Sequence, residues 1–231
     1  MRIGIIGAMD VEIAVLREQM DLRETIPAAN MTFYVGSVGS ADIVLVKSGV
    51  GKVNAAVCVQ LLAERFHVTH IINTGVAGSL DNDLDIGDIV VSTDAMYHDV
   101  DATVFGYQKG EVPQLGTVSF PADEKLRSCA VKAVKEAAPE IHVSEGQILS
   151  GDQFIASYDK KEELMRDFHA KCAEMEGAAI AQASWLNGIP FVILRAISDK
   201  ADESVKESYD LFEEKAARHC AAITVYMLKN M

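Results

Sequence analysis

Basic residues are scarce in this 231-residue chain: 21 Lys and Arg face 34 Asp and Glu, a formal net charge of -13. No Lys/Arg cluster could neutralise a run of phosphates, which argues against DNA or RNA as a partner. The acidity also disfavours adhesion to an anionic membrane. Cysteines are few. Cys58, Cys129, Cys172 and Cys220 lie far apart with no CxxC pair, so neither a zinc site nor a redox motif is indicated. Free thiols in a reducing, cytoplasmic compartment are the expectation. The N-terminus lacks a signal-peptide cleavage pattern. The 18 uncharged residues between Glu176 and Arg195 are interrupted by Gln182, Ser184, Asn187, Gly188 and Pro190, which fits a buried helix, turn and strand better than a membrane span. No HExxH or His-x-His pair supports a hydrolytic metal, and no GxSxG elbow is present. With no Pro/Gly/Ser-rich linker, low-complexity stretch or internal repeat, residues 1–231 are expected to form a single domain.

Apolar runs alternate in type along the chain. The pattern predicts strands near 2 to 7, 32 to 36, 41 to 47, 70 to 74, 88 to 92, 146 to 150, 172 to 174 and 190 to 198. Helices are predicted near 10 to 20, 52 to 66, 123 to 137 and 159 to 169, then one ending at Asn187-Gly188 and one over 205 to 229. In the last helix Phe212, Ala216, Cys220, Ile223 and Met227 share one face. A polar, aromatic-bearing connection from about 96 to 120 is too long for a simple turn. This alternation points to an α/β fold, a largely parallel sheet covered on both sides with antiparallel pairs among the early strands. Ligands bind such sheets beyond the carboxyl ends of the strands.

Three acidic residues stand in stretches that are otherwise apolar or glycine-rich: Glu12 after RIGIIGAM, Glu176 in CAEMEGAAIA and Asp199 at the end of PFVILRAISD. Buried carboxylates are costly unless paired or used. Each also has an ordinary explanation. Glu12 and Glu176 suit the first turn of a helix, Asp199 suits a turn after a strand, and Glu174 competes with Glu176 for any role. All three fall at predicted strand ends. If those ends converge, one site gains an acid, a base and a hydroxyl binder, a set suited to cleaving a bond to a sugar.

Other segments are weaker signals. SGVGKVN at Ser48 to Asn54 has Gly49 and Gly51 but neither a third glycine for a dinucleotide fingerprint nor the P-loop pattern, so a tight strand-to-helix turn is expected. Gly75-Val76-Ala77-Gly78 after HIINT could bring backbone N–H groups near a ligand oxygen. His98, in YHDVDATVFGY, is expected to be a hydrogen-bonded loop histidine. Phe105, Tyr107, Phe154 and Tyr209 could stack on a base or pack in the core.

Taken in order, GIIGAM with Glu12, SGVGKVNAA, INTGVAG, YHDVDATVFGY, SGDQFI, AEMEGAAIA and RAISD closely resemble the bacterial 5'-methylthioadenosine/S-adenosylhomocysteine nucleosidases of the nucleoside phosphorylase superfamily. The resemblance runs from residue 1 to 231. It implies a three-layer α/β/α sandwich with a central mixed sheet, a homodimer and no cofactor or metal. The implied activity is hydrolysis of the N-glycosidic bond of methylthioadenosine and S-adenosylhomocysteine, and also 5'-deoxyadenosine, in methionine salvage and methyl-cycle recycling. By the same resemblance Asp199 protonates adenine at N7, with Ser198 beside it, the Ile155 backbone on the base edge and Phe154 stacked on the ring. Glu176 binds the ribose diol, Met175 lies against the sugar, and Glu12 polarises water with help from Arg195. The 5'-thioalkyl group would lie among Met9, Val50, Tyr209 and, from a second subunit, Ala102, Phe105, Tyr107 and Pro113. Val76 departs from the pattern, because relatives often carry a serine there; any water contact at that place is assigned to backbone groups.

Three rivals stay open. A phosphorylase needs cations for phosphate, whereas the loop after the first strand offers Asp10 and Glu12. A nucleosidase for a bulkier nucleoside such as aminodeoxyfutalosine, and a non-catalytic nucleoside-binding protein, are the others.

Overall fold

Strand β1 (Arg2–Gly7), RIGIIG, is buried from Ile3 to Gly7 and pairs in parallel on both sides. That is the environment a continuous apolar run requires. In this computed structural model, backbone is described for residues 1–202 and 205–231, and side chains for 1–202 and 212–231. One of the β1 neighbours is β4 (Ala41–Lys47), which continues antiparallel through β3 (Met31–Val38) to β2 (Asp21–Ala28). The other is β5 (His70–Ser79).

Beyond β5 the sheet closes on itself. β5 pairs with β9 (Cys172–Glu174), β9 with β8 (Val143–Ser150), β8 with β6 (Ile89–Tyr97), β6 with β10 (Phe191–Asp199), and β10 returns to β5. The two-residue β7 (Phe120–Pro121) adds to β6. The sheet is mixed, as expected, and its antiparallel pairs include β5–β9 and β6–β10 as well as the early strands.

Helices α1 (Asp10–Gln19), α3 (Glu124–Ala137) and α6 (Val205–Asn230) cover one face, where Ile3, Ile5, Ile13, Ala130, Ala217 and Ile223 share a core. Helices α2 (Lys52–Glu64) and α5 (Gly177–Leu186) cover the other, with Ile6, Cys58, Leu62, Ile180 and Ile193. Each such large side chain removed from water stabilises the fold by roughly 1.5–3 kcal/mol. A smaller cluster of Leu80, Leu149, Ile155, Leu164 and Ala201 seats α4 (Tyr158–Phe168). In α6, Ala216, Cys220, Ile223 and Met227 are buried and Phe212 is half-buried, along the face the periodicity predicts. Helix α5 stops at Asn187, and Gly188 takes φ +65°, the left-handed stop expected of Asn-Gly.

Several strands differ from the sequence reading: β6 runs on to Tyr97, β8 begins at Val143 and β7 is an addition. β2 is absent from the sequence reading: most of it is exposed, and Glu24 and Pro27 break any alternation of Leu22, Ile26 and Ala28. β5 runs on through Gly75 and Gly78, past the strand end expected near residue 74. A β-carbon at Gly75 would stand 2.5 Å from Arg195 Nη1 and collide with Glu12 Oε1, so glycine there serves close approach within a strand.

Candidate active site

The carboxyl ends of β1, β4, β5, β8, β9 and β10 face one pocket of about 630 Å³, part of it open to solvent. Among its lining residues are Met9, Glu12, Val50, Val76, Phe154, Ile155, Met175, Glu176, Ser198 and Asp199. Segments up to 187 residues apart in sequence, from Glu12 to Asp199, therefore converge as the three acidic positions suggested.

Glu12 occupies the third position of α1. One carboxylate oxygen, Oε2, accepts from the N–H groups of Ala8 (2.6 Å) and Met9 (3.1 Å), closing the start of the helix. The other, Oε1, accepts from Val76 N–H at 3.1 Å. Glu12 thus both starts the helix and lines the pocket. Burial raises the Glu12 pKa, against the pull of Arg195 and the three N–H groups.

Glu174 and Glu176 divide their roles. Glu174 accepts from the Ser150 hydroxyl, from the N–H groups of Glu176 (3.1 Å) and Gly177 (2.8 Å), and from the Arg195 guanidinium. It pins the start of α5. Glu176 is the residue before that helix, yet its carboxyl reaches across to accept from Gly51 N–H at 2.7 Å. Burial, and then the neighbouring Glu174 charge, push the Glu176 carboxyl up to about 8.

Arg195 lies behind the pocket lining, 2% exposed, and donates to Asn73 Oδ1 (2.8 Å) and to Glu174, with Glu176 at 4.0 Å. Burial opposes its charge, but Glu174, Glu12 and Glu176 together raise its pKa, so it stays a cation. Asn73 in turn donates to the Ile6 carbonyl at 2.9 Å, fixing the amide that holds the guanidinium.

Asp199 ends β10 at a register shift against β5, between Ile197 and Asp199. Such bulges re-aim a side chain beside a site. Its carboxyl accepts from the Ser198 hydroxyl (2.9 Å) and from Ala201 N–H (2.8 Å), the turn contact that its position after a strand predicts. Burial is the main influence and raises its pKa, so the protonated acid is favoured relative to an exposed aspartate.

The remaining predicted positions are distributed differently. Ala102, Phe105, Tyr107 and Pro113 do not line this chain's own pocket; they lie in the connection between β6 and β7, where Phe105 is 79% exposed. The side chain of Tyr209 lies outside the described residues. His98 is not the hydrogen-bonded loop histidine expected: it is buried, and neither ring nitrogen has a partner among the described residues. Sequence reasoning also missed Gln153 as a lining residue, the Gly51 N–H, and Asn73, whose signal was an amide inside an otherwise apolar strand.

The chain matches the phosphorylase superfamily over residues 2–229. It is 45% identical to a 5'-methylthioadenosine/S-adenosylhomocysteine nucleosidase of Halalkalibacterium halodurans, covering 100% of this chain and 99% of that protein. Among solved structures, the nucleosidase of that name from Neisseria meningitidis, in complex with methylthio-immucillin-A, superposes with a TM-score of 0.96 at 39% identity, covering 100% and 99% of the two chains. A futalosine hydrolase of Helicobacter pylori superposes with a TM-score of 0.94 at 35% identity, covering 100% and 98%.

Proposed function

Because the chain belongs to the phosphorylase superfamily, we infer that it is a nucleosidase: it hydrolyses the N-glycosidic bond of 5'-methylthioadenosine and S-adenosylhomocysteine, releasing adenine and the 5'-thioribose. The observation that carries this reading is the convergence of Glu12, Glu176 and Asp199 on one pocket.

Adenine is a poor leaving group as an anion. Asp199, kept inclined to hold its proton by burial, donates to adenine N7, and the Ser198 hydroxyl supports the carboxylate left behind. Phe154 stacks on the base and the Ile155 backbone reads its edge. Positive charge then builds on the sugar ring. Glu12, fixed by three N–H groups, orients and deprotonates the water that attacks, and Arg195 acts from behind the lining by holding its acidic neighbours in place. Glu176, largely protonated near neutral pH, both donates to and accepts from the ribose hydroxyls, with Met175 against the sugar. Val76 contributes its N–H to Glu12, and its side chain supplies only an apolar wall. Met9 and Val50 flank the 5'-thioalkyl group, completed by Ala102, Phe105, Tyr107 and Pro113 of a second copy in a homodimer. 5'-Deoxyadenosine fits the same scheme. We read residues 1–231 as one domain working in the cytoplasm; no helix among the described residues is long and apolar enough to cross a membrane.

Phosphate is disfavoured as the nucleophile. Among the described residues no Lys, Arg or His lines the pocket, and Arg195 is already bound to Glu174 and Asn73. Chromatography of the products formed from methylthioadenosine, with and without phosphate, tests this. Adenine and free methylthioribose independent of phosphate are expected; methylthioribose 1-phosphate would make the enzyme a phosphorylase, and tight binding without adenine release would make it a binding protein. The likeness to the futalosine hydrolase keeps a second reading, in which aminodeoxyfutalosine is the better substrate, and its rate belongs in the same assay.

A further inference from the structure

Lys52 opens α2 in the SGVGKVN segment, and its side chain does not line the pocket. Its Nζ lies 2.7 Å from Asp99 Oδ2 and 3.8 Å from Asp152 Oδ2, and 5.3 Å from the centre of the Tyr97 ring. Its N–H donates to Asp152 Oδ1 at 2.9 Å, and the Asp152 N–H donates to Asp99 Oδ2 at 2.9 Å. One residue before Lys52, the Gly51 N–H makes the 2.7 Å bond to Glu176. Gly49 and Gly51 hold φ of +83° and +97°, so two residues without side chains flank Val50, itself about half exposed. The segment is held at its near end by the Ser48 N–H on the Gly7 carbonyl (2.9 Å), across its middle by Asn54 Nδ2 on the Val50 carbonyl (2.6 Å), and at its far end by the Lys52 bonds next to Gly51. The Lys52–Asp99 pair is 24% and 14% exposed, shielded enough to be screened less than a surface pair.

We propose that Lys52, locked to Asp99 and Asp152, is a positioning residue that holds the Gly51 N–H against Glu176 and so fixes that carboxyl for the sugar hydroxyls. The inference rests on the reading of Glu176 as the hydroxyl binder. The network joins three segments: the β4–α2 turn, the start of the connection after β6, and the β8–α4 loop that carries Phe154 and Ile155. A change at Lys52 reaches the sugar hydroxyls through Glu176, and any effect through Asp152 on the base-side loop falls on all three substrates alike, so the comparison below separates the two.

The test compares kcat/KM on methylthioadenosine and on its 2'-deoxy and 3'-deoxy analogues for wild type, Glu176→Gln, Lys52→Met and Asp152→Ala. Each variant is divided by wild type on the same substrate, which cancels the intrinsic lability of the deoxy sugars. Lys52→Met is expected to lose about tenfold on methylthioadenosine, mostly in KM, and about twofold or less on the analogue that Glu176→Gln also spares. Asp152, whose side chain is 50% exposed, gives a variant that keeps the fold if Lys52→Met does not, and the same pattern is expected of it. Equal losses on all three substrates, or no loss on any, would overturn the proposal. If Glu176→Gln itself loses equally on all three, the reading of Glu176 fails first and the inference with it.

Discussion

At the scale of single residues, the site sets four carboxyls against one guanidinium. In the proposed reaction Asp199 is the one that supplies the proton. Asparagine keeps its shape and removes the acid, so Asp199→Asn is expected to lower kcat by about 10² to 10⁴ while leaving the affinity for an inhibitory nucleoside analogue nearly unchanged. Adenine release and calorimetry check the two halves, and near-normal turnover would remove Asp199 as the acid. Glu176 carries a stability cost instead. Its folded pKa of about 8 exceeds the reference 4.5, so as pH rises the unfolded chain loses its proton first. Folding is then penalised progressively above about pH 4.5 and fully above about pH 8. Glu176→Gln is expected to raise Tm relative to wild type by an amount that grows between about pH 5 and pH 8, even as activity falls; a difference independent of pH would refute the assignment. The sequence marked Glu12, Glu176 and Asp199 but could not separate Glu174 from Glu176. That distinction depends on Gly51 and Arg195, which approach from distant segments.

At the scale of elements, strands and helices with continuous or periodic apolar runs were legible, because burial on one or two faces writes itself into the spacing. What was not legible depends on neighbours. The continuation of β5 through Gly75 is set by Glu12 and Arg195, and the bulge that aims Asp199 is set by pairing with β5. Gly75→Ala tests the first point. The added methyl has no room between the two charged groups, so a loss of about 1–3 kcal/mol in stability is expected, together with a kcat reduced more than the change in KM. Denaturant melts and steady-state kinetics report both. A wild-type kcat in a stable Ala variant would show that the close approach is dispensable.

At the scale of the whole molecule, Val104 and Phe105 are 84% and 79% exposed in the connection after β6, an expensive placement for apolar groups left in water. A second copy covering them agrees with the homodimer proposed above. Phe105→Ala is expected to raise KM without touching the chain's own pocket. When its subunits are mixed one to one with Asp199→Asn subunits and allowed to exchange, about a quarter of wild-type activity should return, since each mixed pair rebuilds one intact site. No recovery on mixing would mean that each chain completes its site alone.

The ring of β5, β10, β6, β8 and β9 bears on how substrate enters and leaves. A hinge needs a seam along which two halves can part, and a closed hydrogen-bonded circuit has none. Glu12, bonded to β5 through Val76, and Asp199, on β10, are therefore expected to keep their separation during turnover, like two jaws cast in one piece, and crystal structures with and without a bound nucleoside analogue would check it. Substrate is then expected to pass over the rim, where Val50, Gln153 and Phe154 are exposed members of the pocket lining.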